Sequence, residues 1–214
     1  MYELKLTKFV VGPLRTNVYL IELQEPRIIL IDAGPGSFEK VIYYIDRYGQ
    51  RLTYILLTHA HFDHISDAQF IREVTGAKIV MHSRDLELIE LAESTSRIFG
   101  VRWKTMDIDL VLTSEEDIKI EELTIKTLHT PGHTPGSVCY YLREVKWLFT
   151  GDTLFRKAIG RTDLPGGSII EMYSSLRRIL SLPKDAKVYP GHGPASTIDY
   201  EIQYNPYIKS IKLP

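Results

Sequence analysis

Hydrophobic and polar residues alternate along the chain with two periods, one of two residues that is typical of strands and one of 3.6 that is typical of helices. In the first half the short period predicts strands over residues 17–23, 27–31, 54–57 and 78–81. The longer period predicts helices over residues 38–47, 63–75 and about 85–92. Gly76, directly after the second of these helices, is a typical helix stop.

The second half begins with a run of short apolar segments. They predict strands over residues 118–120, 123–128, 138–142, 146–150 and 187–189, with a helix over 169–180 before the last strand. Two β-rich halves that each end against helices suit two sheets packed face to face with helices outside them. The pattern therefore predicts an α+β protein with a single domain over residues 1–214.

Composition and charge exclude several classes of protein. The 214 residues are 44% hydrophobic and carry a formal net charge of -1, so nothing draws the whole chain to nucleic acid or to an anionic membrane. No apolar segment is long enough to span a bilayer or to form the core of a signal peptide. The single cysteine, Cys139, excludes an intramolecular disulfide. We expect a cytoplasmic protein without nucleic-acid or membrane partners.

The run from Leu57 to His64 carries the strongest chemical signal, since an apolar strand ends there and a helix begins. Its four potential metal ligands are His59, His61, Asp63 and His64. In extended chain, residues i and i+2 project to the same side, so His59 and His61 can converge on one ion. The turn into the helix directs the other two ligands toward a second ion. Imidazole and carboxylate ligands without thiolate suit zinc, iron or manganese.

Three further candidate ligands follow strands in loops marked by glycine or proline: His133, Asp152 and His192. Glycine lets the backbone turn tightly beside such a site. Five of the seven histidines fall in these motifs, a concentration that single structural histidines do not explain. The other two, His82 and His129, are interpreted as structural.

These motifs resemble those of the metallo-β-lactamase superfamily, whose signature His-x-His-x-Asp-His matches residues 59–64. The resemblance implies the family's four-layer αββα sandwich. It also implies that Asp32, in Ile31-Asp32-Ala33-Gly34, supports the metal loop. The implied ligands divide into one set for each of two divalent ions, with zinc as the expected metal and Asp152 as the bridge: His59, His61 and His133 for the first ion, Asp63, His64 and His192 for the second.

Within the superfamily, residues 151–155 and 159–163 resemble the glyoxalase II branch, which hydrolyses thioesters of glutathione. Only 22 residues follow His192, too few for the C-terminal helical domain of full-length glyoxalase II. The resemblance is therefore to the short single-domain members. Arg161 matches a basic substrate-binding position, whereas Asp163 and Pro194 replace tyrosines of the longer proteins.

The resemblance implies a hydrolase of S-lactoylglutathione or a related acyl-thiol. Two divalent ions that share a water lower its pKa to about 7 and supply a bridging hydroxide as nucleophile. Asp63 and Asp152 are then the catalytic carboxylates that hold the metals, and Arg161 binds a substrate carboxylate. The partner expected is a small thioester, while the sequence leaves the oligomeric state open.

Two other classes remain open. Persulfide dioxygenases share the Gly-Arg-Thr-Asp sequence of residues 160–163 and bind one iron through residues matching His59, His133 and Asp152. A non-enzymatic metal-binding module is the second alternative, although structural zinc sites are normally closed and richer in cysteine. β-Lactamases with a zinc-binding cysteine need a thiolate where Asp152 stands. The segment from Ser94 to Met106 is interpreted either as a lid over an acyl group or as packed chain.

Overall fold

Six strands of the first half form one sheet in the computed structural model, which describes residues 4–23, 26–120 and 123–209. In spatial as well as chain order they are β1 (Lys5–Val11), β2 (Thr16–Glu22), β3 (Arg27–Ile31), β4 (Arg51–Leu56), β5 (Lys78–His82) and β6 (Leu110–Leu112). β1 to β3 pair antiparallel, whereas β3 to β6 pair parallel. Consequently β3 and β4 end at the same edge of the sheet, where the first candidate ligands follow.

The edge strand β1 was missed by the sequence analysis. Lys5 and Lys8 interrupt its apolar residues, and its burial alternates irregularly between exposed and half-buried positions. β2 and β3, in contrast, are buried over almost their whole length. Strands covered on both faces have a continuous apolar sequence, which is why these two were predicted within a residue or so of their bounds.

The helices of the first half are α1 (Ser37–Tyr48), α2 (Phe62–Ile65), α3 (Ala68–Thr75) and α4 (Ile89–Ile98), with a 3₁₀ helix over Ser83–Leu88. The single helix predicted over 63–75 is wrong, because the chain breaks between α2 and α3. In a continuous helix the Asp67 N–H would bond to the carbonyl of Asp63. It instead donates to the carbonyl of Ala33 at 2.8 Å. The helix predicted over 85–92 is also wrong in its bounds, because its first turns are 3₁₀ and α4 continues to Ile98.

A second six-stranded sheet is formed by the rest of the chain. Its strands, in chain order, are β7 (Ile118–Ile120), β8 (Leu123–His129), β9 (Val138–Leu142), β10 (Trp147–Gly151), β13 (Lys187–Pro190) and β14 (Ser196–Thr197). The spatial order is β14-β13-β10-β9-β8-β7, and only β10 and β13 pair parallel. Between β10 and β13 the chain forms a small hairpin of β11 (Leu154–Phe155) and β12 (Ala158–Ile159). β8, β10 and β13 therefore all run toward one edge of the sheet.

Helices complete this half: α5 (Ile169–Ile179), α6 (Ile198–Tyr204) and α7 (Pro206–Lys209). Ser168 begins α5, and its hydroxyl accepts a hydrogen bond from the Glu171 N–H at 3.3 Å. Residues 164–168 thus form the turn before a helix, as predicted. The two-residue strands β11, β12 and β14 were not predicted, because two residues are too short for a periodic signal.

By internal contacts the chain divides into two compact units, one through Leu112 and one from Thr113. The boundary falls between β6 and β7, where the two predicted β-rich halves also meet. The single-domain assignment remains a prediction. Among the described residues, no helix is both long enough and apolar enough to cross a membrane.

Candidate functional site

The first four candidate ligands lie together in the loop after β4 and in α2. His59, Asp63 and His64 are buried, while His61 is half-buried. The His59 ring centroid lies 4.8 Å from that of His61 and 4.2 Å from that of His64. The structure therefore gathers one cluster of imidazole and carboxylate groups at the carboxyl edge of the first sheet.

Asp32, directly after β3, anchors this cluster. Its Oδ1 accepts a hydrogen bond from the Thr58 N–H at 2.8 Å, and its Oδ2 accepts from Thr58 Oγ1 at 2.9 Å. Oδ2 also accepts from His64 Nδ1 at 2.8 Å. Asp32 has a positive φ of 61°, a backbone conformation that Asp and Asn adopt more readily than other non-glycine residues. These contacts support the predicted role of Asp32 in holding the ligand loop.

The same hydrogen bonds fix the tautomers of two histidines. His64 donates through Nδ1 to a carboxylate, so its Nε2 carries the lone pair. The Thr58 hydroxyl gives its single proton to Asp32 and so accepts from His59 Nδ1 at 3.0 Å. The lone pair of His59 is therefore also on Nε2. Neutral imidazole held through its other nitrogen is the usual form of a metal-bound histidine.

Thr16 and Asp85, two residues that the sequence analysis missed, help to hold Asp63 and the turn before it. Thr16 Oγ1, at the start of β2, donates to Asp63 Oδ2 at 2.7 Å, and His64 Nε2 lies 3.4 Å from the same oxygen. A Cβ on Gly34 would lie 2.0 Å from the carbonyl oxygen of Asp63, so only glycine allows this approach. The buried carboxylate of Asp85 accepts the N–H of Ala60 at 2.8 Å and so holds the turn between two ligands.

The other candidate ligands follow the three strands of the second sheet that run in one direction and end at one edge of that sheet: His133 after β8, Asp152 after β10 and His192 after β13. Asp152 Oδ2 lies 3.5 Å from His133 Nε2 and also 3.5 Å from His192 Nε2. The Gly191 N–H donates to the carbonyl of Gly151 at 2.7 Å and ties two of the loops together. One carboxylate oxygen thus lies between two imidazoles.

Main chain from the segment after β12 orients these ligands. His133 Nδ1 donates to the carbonyl oxygen of Arg161 at 2.8 Å, which places its lone pair on Nε2. A Cβ on Gly160 would lie 1.7 Å from the carbonyl oxygen of Asp152 and 3.3 Å from the Cβ of His133. The turn at residues 160–161 therefore packs directly against the two ligands.

The donor chemistry of both clusters suits divalent cations. In each cluster a histidine lone pair on Nε2 faces a carboxylate oxygen, at 3.4 Å between His64 and Asp63 and at 3.5 Å between His133 and Asp152. Two electron-pair donors that face each other are stabilised by a cation. The nitrogen and oxygen donors fit zinc, iron and manganese equally, so they do not choose the metal.

Comparison with known proteins agrees with this pattern. A family model described as the metallo-beta-lactamase superfamily matches residues 11–192. The chain belongs to the metallo-β-lactamase superfamily. It is 32% identical over 213 residues to the probable metallo-hydrolase YqgX of Bacillus subtilis, a match that covers 98% of this chain and 100% of that protein. It is 35% identical over 202 residues to the hydroxyacylglutathione hydrolase GloC of Haemophilus influenzae, covering 91% of this chain and 93% of that protein.

Solved structures match nearly the whole chain, with coverages of 94 to 98%. The BLEG-1 B3 metallo-beta-lactamase is 35% identical with a TM-score of 0.89, covering 96% of this chain and 100% of that one. TTHA1623 in a di-iron-bound form is 37% identical with a TM-score of 0.84, covering 94% and 99%. ETHE1 from Myxococcus xanthus is 25% identical with a TM-score of 0.79, covering 98% and 92%. The predicted α+β class and metallo-β-lactamase fold are confirmed, as is the predicted resemblance to short glyoxalase II-like proteins.

Arg161, the predicted substrate contact of this superfamily member, makes an ion pair with Asp163. Nε and Nη2 of its guanidinium donate to the two carboxylate oxygens of Asp163 at 2.9 and 2.8 Å. Both side chains are exposed. The hydrogen bonds from Arg161 are the main reason why the pKa of Asp163 is lowered to about 2, so that carboxylate is ionised throughout the neutral range.

The contacts of Cys139, His82 and His129, which the sequence analysis also named, are structural. Cys139 is buried in β9 beside Thr130, and burial raises the pKa of its thiol to about 11. His82 Nδ1 accepts the Arg84 N–H at 3.3 Å, and His129 Nε2 donates to the carbonyl of Pro135 at 2.9 Å. These contacts agree with the structural interpretation of the two histidines.

The segment interpreted as a lid or as packed chain has two parts. Its first residues, from Ser94 to Ile98, belong to α4, and Trp103 and Met106 pack against the first core. Phe99 stacks on Phe62 of the ligand motif with a centroid separation of 4.8 Å. The contacts of Trp103 and Met106 favour the packed-chain interpretation, and the lid remains a prediction.

Proposed function

We propose that this protein is a dinuclear metal-dependent hydrolase of thioesters. The observation that carries the proposal is the position of Asp152 Oδ2, 3.5 Å from Nε2 of both His133 and His192. A carboxylate oxygen between two imidazole nitrogens is the arrangement expected of a residue shared by two cations. Membership of a superfamily of metallo-hydrolases supports the same conclusion.

Both clusters would contribute to the metal centre. By the superfamily pattern, the residues that would hold the first ion are His59, His61 and His133, those that would hold the second are Asp63, His64 and His192, and Asp152 would hold both. Two bound divalent ions supply a Lewis acid for the acyl oxygen and lower the pKa of a shared water from 15.7 to about 7. Zinc is our expected metal, with iron or manganese as alternatives. The di-iron form of TTHA1623 is the reason for keeping iron.

Other residues of the chain would orient the histidine ligands and bind the substrate. Asp32, Thr58 and the Arg161 carbonyl keep the histidine lone pairs on Nε2, which a metal ligand requires. Hydrolysis of a thioester needs no dedicated general acid, because a thiol with a pKa near 8.5 departs as the anion. The name of the GloC relative supports a hydroxyacyl thioester of glutathione, whose carboxylates would meet Arg161.

A persulfide dioxygenase-like iron enzyme is the second candidate. It is favoured by the similarity to ETHE1 and by the packing of Gly160 and the Arg161 carbonyl, in the Gly-Arg-Thr-Asp sequence, against His133 and Asp152. Such an enzyme would hold one iron and consume oxygen. A non-enzymatic metal-binding module is the weaker alternative. For either enzyme we expect a small-molecule substrate and a cytoplasmic location.

The deciding experiment combines metal analysis with a substrate panel. Purified protein is analysed for zinc, iron and manganese, and is then assayed with S-lactoylglutathione, a neutral lactoyl thioester, glutathione persulfide and a β-lactam. Two ions per chain with oxygen-independent thioester hydrolysis support the proposal. One iron with oxygen consumption on the persulfide would support the dioxygenase, and preferred turnover of the β-lactam would reject both.

Replacing Arg161 tests the binding role. If its guanidinium binds a substrate carboxylate, Arg161→Ala should raise KM for S-lactoylglutathione relative to the neutral thioester. A charge-assisted hydrogen bond of about 1.5 to 3 kcal/mol corresponds to a loss of roughly ten- to a hundredfold in kcat/KM for the acidic substrate. Equal losses on both substrates would instead assign Arg161 to the structural ion pair with Asp163.

A further inference from the structure

The Arg161 side chain already holds a carboxylate, that of Asp163. The contact uses Nε and Nη2, one of the two edges of the guanidinium that can form a bidentate pair, at 2.9 and 2.8 Å. A substrate carboxylate that approached this edge would have to displace Asp163, and one that approached through Nη1 and Nη2 would meet a positive charge already paired with Asp163. Asp163 and the substrate therefore compete for one guanidinium charge.

The main chain at this position is held against the ligands. The carbonyl of Arg161 accepts the hydrogen bond of His133 Nδ1 at 2.8 Å, and Gly160 packs against the Asp152 carbonyl with no room for a Cβ. The side chain, in contrast, is 59% exposed, and that of Asp163 is 70% exposed. Only the two side chains are free of the packing that fixes the ligands, so the partner of Arg161 can change without disturbing His133.

We propose that Asp163 is a specificity-determining residue, an internal carboxylate that competes with acidic substrates for Arg161 and lowers the enzyme's preference for them. The inference rests on the proposed thioester hydrolase activity. Its physical basis is exchange of one carboxylate for another on the same guanidinium. This exchange is feasible because an ion pair exposed to this degree is weak, favouring the paired state by no more than about fivefold.

Protonation of the Asp163 carboxylate does not break its ion pair with Arg161 near neutral pH. The hydrogen bonds from Arg161 are the main cause that lowers the pKa of Asp163, to about 2. Asp163 therefore keeps its negative charge throughout the neutral range. Substitution is therefore the means of testing the competition.

The test is the ratio of kcat/KM for S-lactoylglutathione to that for the neutral lactoyl thioester. Asp163→Asn removes the charge but keeps the shape, and we expect it to raise this ratio about two- to fivefold, mainly through a lower KM for the acidic substrate. The matched control is Asp185→Asn, which breaks another exposed ion pair of the same unit, with Lys146 at 2.5 Å. Lys146 precedes β10 and Asp152 follows it, so the control lies at the opposite end of that strand and should leave the ratio unchanged.

A double variant separates competition from general repulsion. In an Arg161→Ala background the effect of Asp163→Asn should disappear if Asp163 acts through the guanidinium. Persistence of the effect there would show plain repulsion between Asp163 and the substrate and would overturn the inference. So would an unchanged or lower ratio in the single variant, since Asp163 would then not compete or would position Arg161 for the substrate. A wild-type protein without thioesterase activity would overturn the proposed function and this inference together, whereas normal activity with an unchanged ratio overturns the inference alone.

Discussion

Asp152→Ala is expected to abolish hydrolysis and to lower the metal content of the purified protein. Its Oδ2 is the atom that lies 3.5 Å from two imidazole nitrogens, so the substitution removes the carboxylate that both ions would share. Two cations without an intervening anion repel each other, and at least one should be lost. If metal catalysis contributes about 4 kcal/mol or more, kcat/KM falls by roughly a thousandfold or more.

Metal analysis and thermal unfolding distinguish this result from a folding defect. Asp152→Asn is the matched variant, because it keeps the volume and one acceptor oxygen but loses the charge. We expect it to retain more metal than Asp152→Ala and still to lose most of the activity. A variant that keeps two ions per chain and full turnover would contradict the dinuclear proposal.

Asp32→Ala should lower both the free energy of unfolding and the metal affinity. The carboxylate is buried and accepts hydrogen bonds from the Thr58 N–H, the Thr58 hydroxyl and His64 Nδ1. Removing an acceptor of this kind costs about 1 to 3 kcal/mol for each buried donor that depends on it. Alanine at a positive φ adds about 1 kcal/mol. With three donors at about 1 kcal/mol or more each and the backbone contribution, we expect a loss of at least about 4 kcal/mol, together with a roughly ten- to hundredfold weaker metal affinity, on the order typical of residues that orient ligands.

Chemical denaturation with and without added zinc measures both effects. Asp32→Asn is the control, since asparagine tolerates the same backbone conformation and keeps one acceptor oxygen. It should fall between the wild type and Asp32→Ala in both quantities. A change confined to KM, with unfolding and metal affinity unaltered, would show that Asp32 contacts substrate and does not support the ligands.

Much of the fold was accessible from the sequence because the buried strands have uniform apolar stretches. β3, β7 and β9 were predicted with the bounds observed. The errors have physical causes that lie outside local sequence. The break between α2 and α3 depends on a hydrogen bond to Ala33, more than thirty residues earlier in the chain. A local pattern carries no information about such a partner.

In the candidate site, too, local sequence predicted some residues and gave no sign of others. The candidate ligands were identified from motifs, since imidazole and carboxylate groups stand at recognisable spacings after strands. The residues that hold them were missed, with Asp32 as the exception. Thr16 reaches Asp63 across 47 residues, and Asp85 reaches the Ala60 N–H across 25. A threonine at a strand start or an aspartate in a 3₁₀ helix has no distinctive sequence context.

The hairpin of β11 and β12 fixes the number of residues between two functional positions. It begins after Asp152 and returns the chain so that Gly160 packs on the Asp152 carbonyl and Arg161 bonds to His133. Its tip, at residues 156–157, is tied to α6, because the Lys157 N–H donates to Glu201 Oε2 at 2.9 Å and Arg156 Nη2 donates to the Tyr200 hydroxyl at 3.2 Å. An added or deleted residue would break these contacts and shift Gly160 out of its only compatible place. During divergence of this protein, we expect insertions or deletions to be excluded from the interval between residues 152 and 161.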